Sequence, residues 1–172
     1  LSRIFLFSVI PSAGWRIDPE SVNKNGKMVS MGNKYILYTD GGARGNPGPA
    51  AAGAVIYDAE NNKIGEFSSF LGVATNNQAE YQAVILGLGQ IQKIINDSSL
   101  ISASRVNAFL DSELIVKQLS GEYRVKNKAL QPLVAKLRKM IDEFAEVNFK
   151  HVPRENNKEA DKLVNQELDK QR

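Results

Sequence analysis

The sequence predicts an α/β fold: one five-stranded mixed sheet, flanked by helices, with elements in the order βββαβααβα. Three observations predict it. The chain has 172 residues and is 42% hydrophobic, enough to bury one sizeable core and not two. From Lys34 onward, short apolar runs bounded by turn residues alternate with longer stretches of helical period. A long helical stretch joins the third and fourth of those short runs, and such a crossover lays the first and fourth strands parallel and adjacent.

The first 33 residues differ in texture. The run "LSRIFLFSVI" is apolar, but ten residues fall short of the roughly 20 that span a bilayer. Arg3, the apolar run and "PSAG" imitate a secretory leader only weakly. Residues 1–33 are therefore expected to be a poorly ordered accessory or upstream segment. Met28 and Met31 stand just ahead of the periodic region, and residues 34–172 are expected to form the working domain. No membrane association is expected, and the location expected is cytoplasmic.

"KYILYT" reads as the first strand, closed by Asp40. "AAAGAVIYD" and "KIGEFSSFLG", split by "AENN", read as a hairpin. "NNQAEYQAVILGLGQIQKII" carries Val84, Gly87, Leu88, Ile91, Ile94 and Ile95 on one stripe, a long helix facing the sheet. "RVNAFL" is the fourth strand. "SELIVKQLS" is a short helix ended by Gly121, and "ALQPLVAKLRKMIDEFA" is another helix. "EVNFKHV" makes the fifth strand, and "NKEADKLVNQELDK" the last helix.

Composition narrows the chemistry. With no cysteine and one histidine, disulfide frameworks and structural zinc are excluded, so any metal must be held by oxygen. The net charge of +3 suits a polyanionic partner without requiring one. The loop "DGGARGNPGP" suggests a phosphate cradle, but such cradles sit between a strand and a helix, and these glycines lead into another strand. Neither G-x-G-x-x-G nor a Gly-Lys-Ser/Thr ending is present.

The acidic residues carry more information. Asp40 and Asp111 end the two strands placed side by side, at the C-terminal edge where open sheets form their crevices. Glu80 falls on the sheet-facing stripe in the first turn of the long helix, and Asp161 shares a face with Val164 and Leu168. Each has a plain alternative: Asp40 as a turn residue, Asp111 as a helix cap, Glu80 in a capping box with Asn77, Asp161 at a helix's positive end. Together they point elsewhere. Two carboxylates about 4 Å apart repel by roughly 4 kcal/mol at an effective dielectric of about 20, and four contain several such pairs. Divalent cations relieve that repulsion. Hard oxygen donors suit Mg²⁺ or Mn²⁺, and a two-ion site would straddle a phosphodiester.

"YTDGGARGNPGPAAAGAVI", "TNNQAEYQAVILGL", "LDSELIVKQL" and "HVPRENNKEADKL" resemble, in order and spacing, the four motif blocks of type 1 ribonuclease H. The resemblance runs from about residue 34 to 170 and implies the RNase H-like fold. It further implies hydrolysis of the RNA strand of RNA–DNA hybrids with two Mg²⁺ ions, for which Mn²⁺ substitutes, leaving 5′-phosphate and 3′-hydroxyl ends. The family's metal-binding carboxylates fall on Asp40, Glu80, Asp111 and Asp161, with Asp40 bridging both ions. His151 matches a mobile-loop histidine proposed to assist protonation or product release. Asn46, Asn76 and Asn77 match positions that touch the minor groove, and Thr75 one near a DNA phosphate. The glycine loop at Gly41 and Gly42 would bring backbone close to ribose 2′-hydroxyls. Several family members insert a basic helix and loop where this chain has only "GEYRVKNK", which implies the subgroup lacking that arm and weaker, salt-dependent hybrid binding. The expected partner is an RNA–DNA hybrid, met by a monomer. A non-catalytic hybrid-binding module and a DNA-cutting nuclease of the same fold are the alternatives.

Overall fold

The computed structural model describes residues 33–171. The accessory-segment reading of the N-terminal residues lies, Asn33 apart, outside them. The described elements are β1 (Lys34–Ala43), β2 (Gly48–Tyr57), β3 (Lys63–Ala74), α1 (Asn76–Ile95), α2 (Ser98–Ile101), β4 (Arg105–Leu110), α3 (Glu113–Leu119), α4 (Gln131–Ile141), β5 (Glu146–His151) and α5 (Lys158–Asp169). The expected order holds. α2, a four-residue turn begun by the Asp97 side chain, and a 3₁₀ turn at Arg154–Asn156 were not foreseen.

The five strands run β3-β2-β1-β4-β5 across one sheet. β1 pairs antiparallel with β2 and parallel with β4, as the crossover requires, and β4 pairs parallel with β5. On one face, Leu37, Ile56, Val106, Ala108 and Leu110 meet Tyr81, Val84, Leu88 and Ile91 of α1 and Leu137 of α4, all buried. Each fully buried large aliphatic there is worth about 1.5–3 kcal/mol of transfer free energy. A Cβ on Gly87 would stand 2.5 Å from Leu37 Cδ1, so the missing side chain lets α1 settle on β1. On the other face, α5 packs Val164 and Leu168 against Ala51 of β2.

Four local expectations are corrected. β1 does not close at Asp40 but continues to Ala43, with Gly41 opposite Ala52 and Gly42 opposite Ala51. The small residues of β2 leave room for glycine to stay in the ladder. α1 is capped by Thr75, whose Oγ1 accepts from Gln78 N while Gln78 Oε1 accepts from Thr75 N. The capping box is thus Thr75 with Gln78 and not Asn77 with Glu80, and Glu80 sits five residues into the helix, past its first turn. Ser112, not Asp111, caps α3 through its hydroxyl on Ile115 N. Ile94, counted on the buried stripe, is 40% exposed.

Candidate active site

β1 and β4 part company after Thr39 and Leu110, the last pair in their parallel register. The next residue on each strand is Asp40 and Asp111, so the two carboxylates flank the gap where the ladder opens. α1 closes the gap from above. An ideal Cβ on Gly41 would lie 2.1 Å from the Ala79 carbonyl carbon and 2.2 Å from Glu80 N, so only glycine lets the helix backbone rest on the strand. That contact sets Glu80 directly over Asp40. Ligand atoms of Asp40, Glu80 and Asp111 lie within 4.8 Å of one another.

Asp161 reaches the same cleft from the first turn of α5 but is held aside. Arg154 Nη2 donates to Asp161 Oδ1 at 2.5 Å, and Asn165 Nδ2 donates to Oδ2 at 3.1 Å. Arg154 comes from a 3₁₀ turn, Arg154–Asn156, directly ahead of α5. Its guanidinium lowers the proton affinity of both Asp40 and Glu80. No sequence pattern distinguished it from the other basic residues.

The electrostatics show what the cluster lacks. Burial pushes the Asp40 carboxyl up to about 7, with the Asp111 and Asp161 charges adding to the effect. Burial also pushes Glu80 up to about 9, helped by Asp40 and Asp111. Glu80 Oε2 and Asp111 Oδ1 are buried without a hydrogen-bond partner. Orphaned carboxylate oxygens that converge, in a place where protons bind too readily, are what a hard divalent cation satisfies. The residues present fit a Mg²⁺- or Mn²⁺-type ion, and their all-oxygen chemistry excludes a zinc-type thiolate site.

Two groups of sequence-predicted residues remain: Asn46, Thr75, Asn76 and Asn77 at the glycine loop and the start of α1, and His151 beside Asp111. Asn76 N donates to Asn46 Oδ1 at 3.1 Å, and Ala43 N donates to Asn76 Oδ1 at 2.8 Å, so the glycine loop and the start of α1 are bonded to each other. Both partners are backbone N–H groups, which fixes the orientation of both amides. Asn77 is exposed beside them, and Thr75 is occupied as the cap. Arg44 completes the loop and does not face the cleft alone, since it donates to Leu168 O and pairs with Asp169 at 2.6 Å. His151 is not on a loop: it closes β5 opposite Leu110, exposed, with Nε2 3.2 Å from the Asp111 carbonyl oxygen.

Residues 38–167 match a family model described as reverse transcriptase-like. The bifunctional protein Rv2228c of Mycobacterium tuberculosis is 37% identical over 137 residues, 79% of this chain and 36% of that protein. Ribonuclease HI of Halobacterium salinarum is 36% identical, covering 80% of this chain and 66% of that one. The chain therefore spans between about a third and two thirds of these curated relatives. Among solved structures, LC11-RNase H1, isolated from compost by a metagenomic approach, is 46% identical with a TM-score of 0.74, covering 80% of this chain and 97% of its own. A second structure of LC11-RNase H1, in complex with an RNA/DNA hybrid, is similar at 44% identity and a TM-score of 0.74, covering 79% and 97%.

Proposed function

Because the chain belongs to the type 1 ribonuclease H family, we propose that residues 34–172 form a catalytic domain that hydrolyses the RNA strand of RNA–DNA hybrids, leaving 5′-phosphate and 3′-hydroxyl ends. The single observation that carries this reading is the convergence of Asp40, Glu80 and Asp111, with Asp161 one ion pair away, where burial and mutual repulsion leave them short of positive charge. The hybrid bound to LC11-RNase H1 supports the substrate assignment.

When bound, two divalent ions supply activation of the attacking water and neutralisation of charge on the leaving 3′ oxygen. Mg²⁺ is the ion we assign, with Mn²⁺ able to replace it, since both accept carboxylate oxygens. Asp40 lies between the Glu80–Asp111 side and the Asp161 side, both Asp111 and Asp161 raising its proton affinity, which supports its serving both ions. His151 lies beside Asp111. With its Nε2–H donated to the Asp111 carbonyl oxygen, Nδ1 is left as the acceptor, the atom that would handle a proton.

Asn46 and Asn76 spend their Oδ1 atoms on backbone N–H groups, so each keeps an Nδ2 donor for the minor groove, where every base pair offers acceptors. Asn77 extends that edge. Thr75 donates and accepts within the capping box, so its part in holding a DNA phosphate is to fix the start of α1 beneath it. Gly41 and Gly42 line the cleft as bare backbone, which admits a ribose 2′-hydroxyl.

The working unit we assign is a cytoplasmic monomer that meets no membrane. No helix among the described residues is long and apolar enough to cross one.

Cleavage of an RNA–DNA hybrid, an RNA duplex and a DNA duplex, each with Mg²⁺, Mn²⁺ or chelator, tests the reading. The expected result is metal-dependent cutting of the hybrid, lowered by a factor of about 10³ or more in Asp40→Asn. Metal-independent cutting, or an Asp40→Asn variant as fast as its parent, refutes it. Hybrid binding without cutting would favour the non-catalytic module, and cutting of the DNA duplex the DNA nuclease.

A further inference from the structure

Asn157 is 1% exposed, one of the few polar side chains buried in the described domain, and the catalytic reading so far assigns it nothing. It stands at the N-cap of α5, yet its side chain does not cap the helix. Instead Nδ2 donates to the Thr39 carbonyl oxygen at 2.9 Å. Thr39 is the last β1 residue in register with β4, so its carbonyl faces the place where the parallel ladder stops. A buried carbonyl there needs a donor. Asn157 supplies it.

The placement joins two metal-site residues through one side chain. Thr39 directly precedes Asp40. The Asn157 carbonyl oxygen in turn accepts from Asp161 N at 3.1 Å, one helical turn further on. The route from Asp40 to Asp161 is therefore a peptide bond, one buried hydrogen bond and one helix hydrogen bond. Hydrogen bonds from Tyr57 to Glu159, Ser68 to Glu167 and Arg44 to Leu168 O hold α5 further out, and beside Asp40 the contacts are also steric. A Cβ on Gly53, the partner of Asp40 in β2, would meet Ala160 O at 2.7 Å, and one on Gly42 would meet Val164 Cγ1 at 3.1 Å. Those steric contacts limit how close the helix comes, whereas the Asn157 bond, next to Asp40, has a direction. Asn157 Oδ1 is buried with no partner, a cost that an apolar residue of the same size would avoid. The amide is there for its donor.

We propose that Asn157 is a positioning residue that fixes Asp161 relative to Asp40, and so sets how tightly the Asp161 side of the site holds its divalent ion. The proposal rests on the two-ion reading above. Groups behind metal ligands commonly change affinity or activity by 10- to 100-fold when removed.

The test titrates the full chain and its Asn157→Leu variant with Mn²⁺ alone by calorimetry, then measures hybrid cleavage. The variant is expected to weaken the weaker Mn²⁺ site by about tenfold or more while leaving the tighter one within about twofold. kcat should fall by a similar factor at fixed metal, KM for the hybrid should hold within about twofold, and added metal should restore the rate. A variant that binds both ions like its parent overturns the role of Asn157 and leaves the two-ion reading standing. A parent that binds no Mn²⁺ overturns both. A second measurement needs no variant: the Asn157 side-chain amide protons in the unaltered protein should resist exchange and shift with Mg²⁺ along the weaker isotherm. Exchange as fast as that of exposed asparagines overturns the proposal even if Asn157→Leu does not fold.

Discussion

Replacing Glu80 by Gln should make the metal-free protein more stable while destroying its metal site. Glu80 is raised from 4.5 to about 9 by burial and by the Asp40 and Asp111 charges. A carboxyl with a raised value in the fold contributes most below its unfolded value and loses that contribution as pH rises towards the folded value. At pH 7 the fold keeps Glu80 protonated while the unfolded chain releases the proton. The cost is about 1.4 kcal/mol for each of about 2.5 pH units, or roughly 3.5 kcal/mol. Gln is neutral, has nearly the same shape and avoids that cost. In chelator at pH 7, Glu80→Gln should melt about 5–10 °C above the parent, and the gap should vanish near pH 4, where Glu80 is protonated in both states. Saturating Mg²⁺ should reverse the order, because only the parent gains a bound ion. Differential scanning calorimetry with and without chelator at both pH values reads all three effects. A variant no more stable than its parent at pH 7, or an advantage that persists at pH 4, would refute the electrostatic reading.

Gly41→Ala should destabilise by about 3 kcal/mol or more and cut activity about 100-fold, since its Cβ would strike the α1 backbone that carries Glu80. Gly89→Ala in the same helix meets only Met140 Cε at 3.6 Å and should stabilise by about 0.5–1 kcal/mol; denaturant unfolding separates the two. A chain shortened to begin at Met31 should keep cooperative unfolding and hybrid cleavage, and loss of either would make residues 1–30 part of the working domain. Hybrid affinity should fall with salt along a slope shallower than that of six or more phosphate contacts, measured by fluorescence anisotropy.

The strand and helix order was legible because apolar period changes cleanly along this chain. The carboxylate crevice followed from it, since Asp40 and Asp111 end the strands that a crossover must place together. What sequence hid was contact at close range. Thr75 with Gln78 and Asn77 with Glu80 both fit a capping pattern, and only the packing of Glu80 against Gly41 decides between them. Gly41 and Gly42 looked like loop because glycine is rare in strands, and the reason to keep them there is a helix that sequence cannot bring near. Asn157 was only the first residue of the last helical stretch in sequence, when its side-chain partner is a carbonyl 118 positions away. Arg154 was not singled out within its block, because a pair formed from a turn to the next helix, seven residues on, leaves no periodicity.

The bonds that join Asn76 to Asn46 and to Ala43 would, under the proposed function, bear on where an RNA strand is cut. They tie the glycine-loop edge to the helix that carries Glu80, so that edge and the carboxylate cluster move as one body. On the substrate assignment made above, the offset between the groove contact and the broken phosphodiester is a constant of the protein, unaffected by hybrid length or sequence. Successive cuts along one hybrid would then fall at that offset from wherever the edge comes to rest, and spacing between cuts would report how the duplex slides.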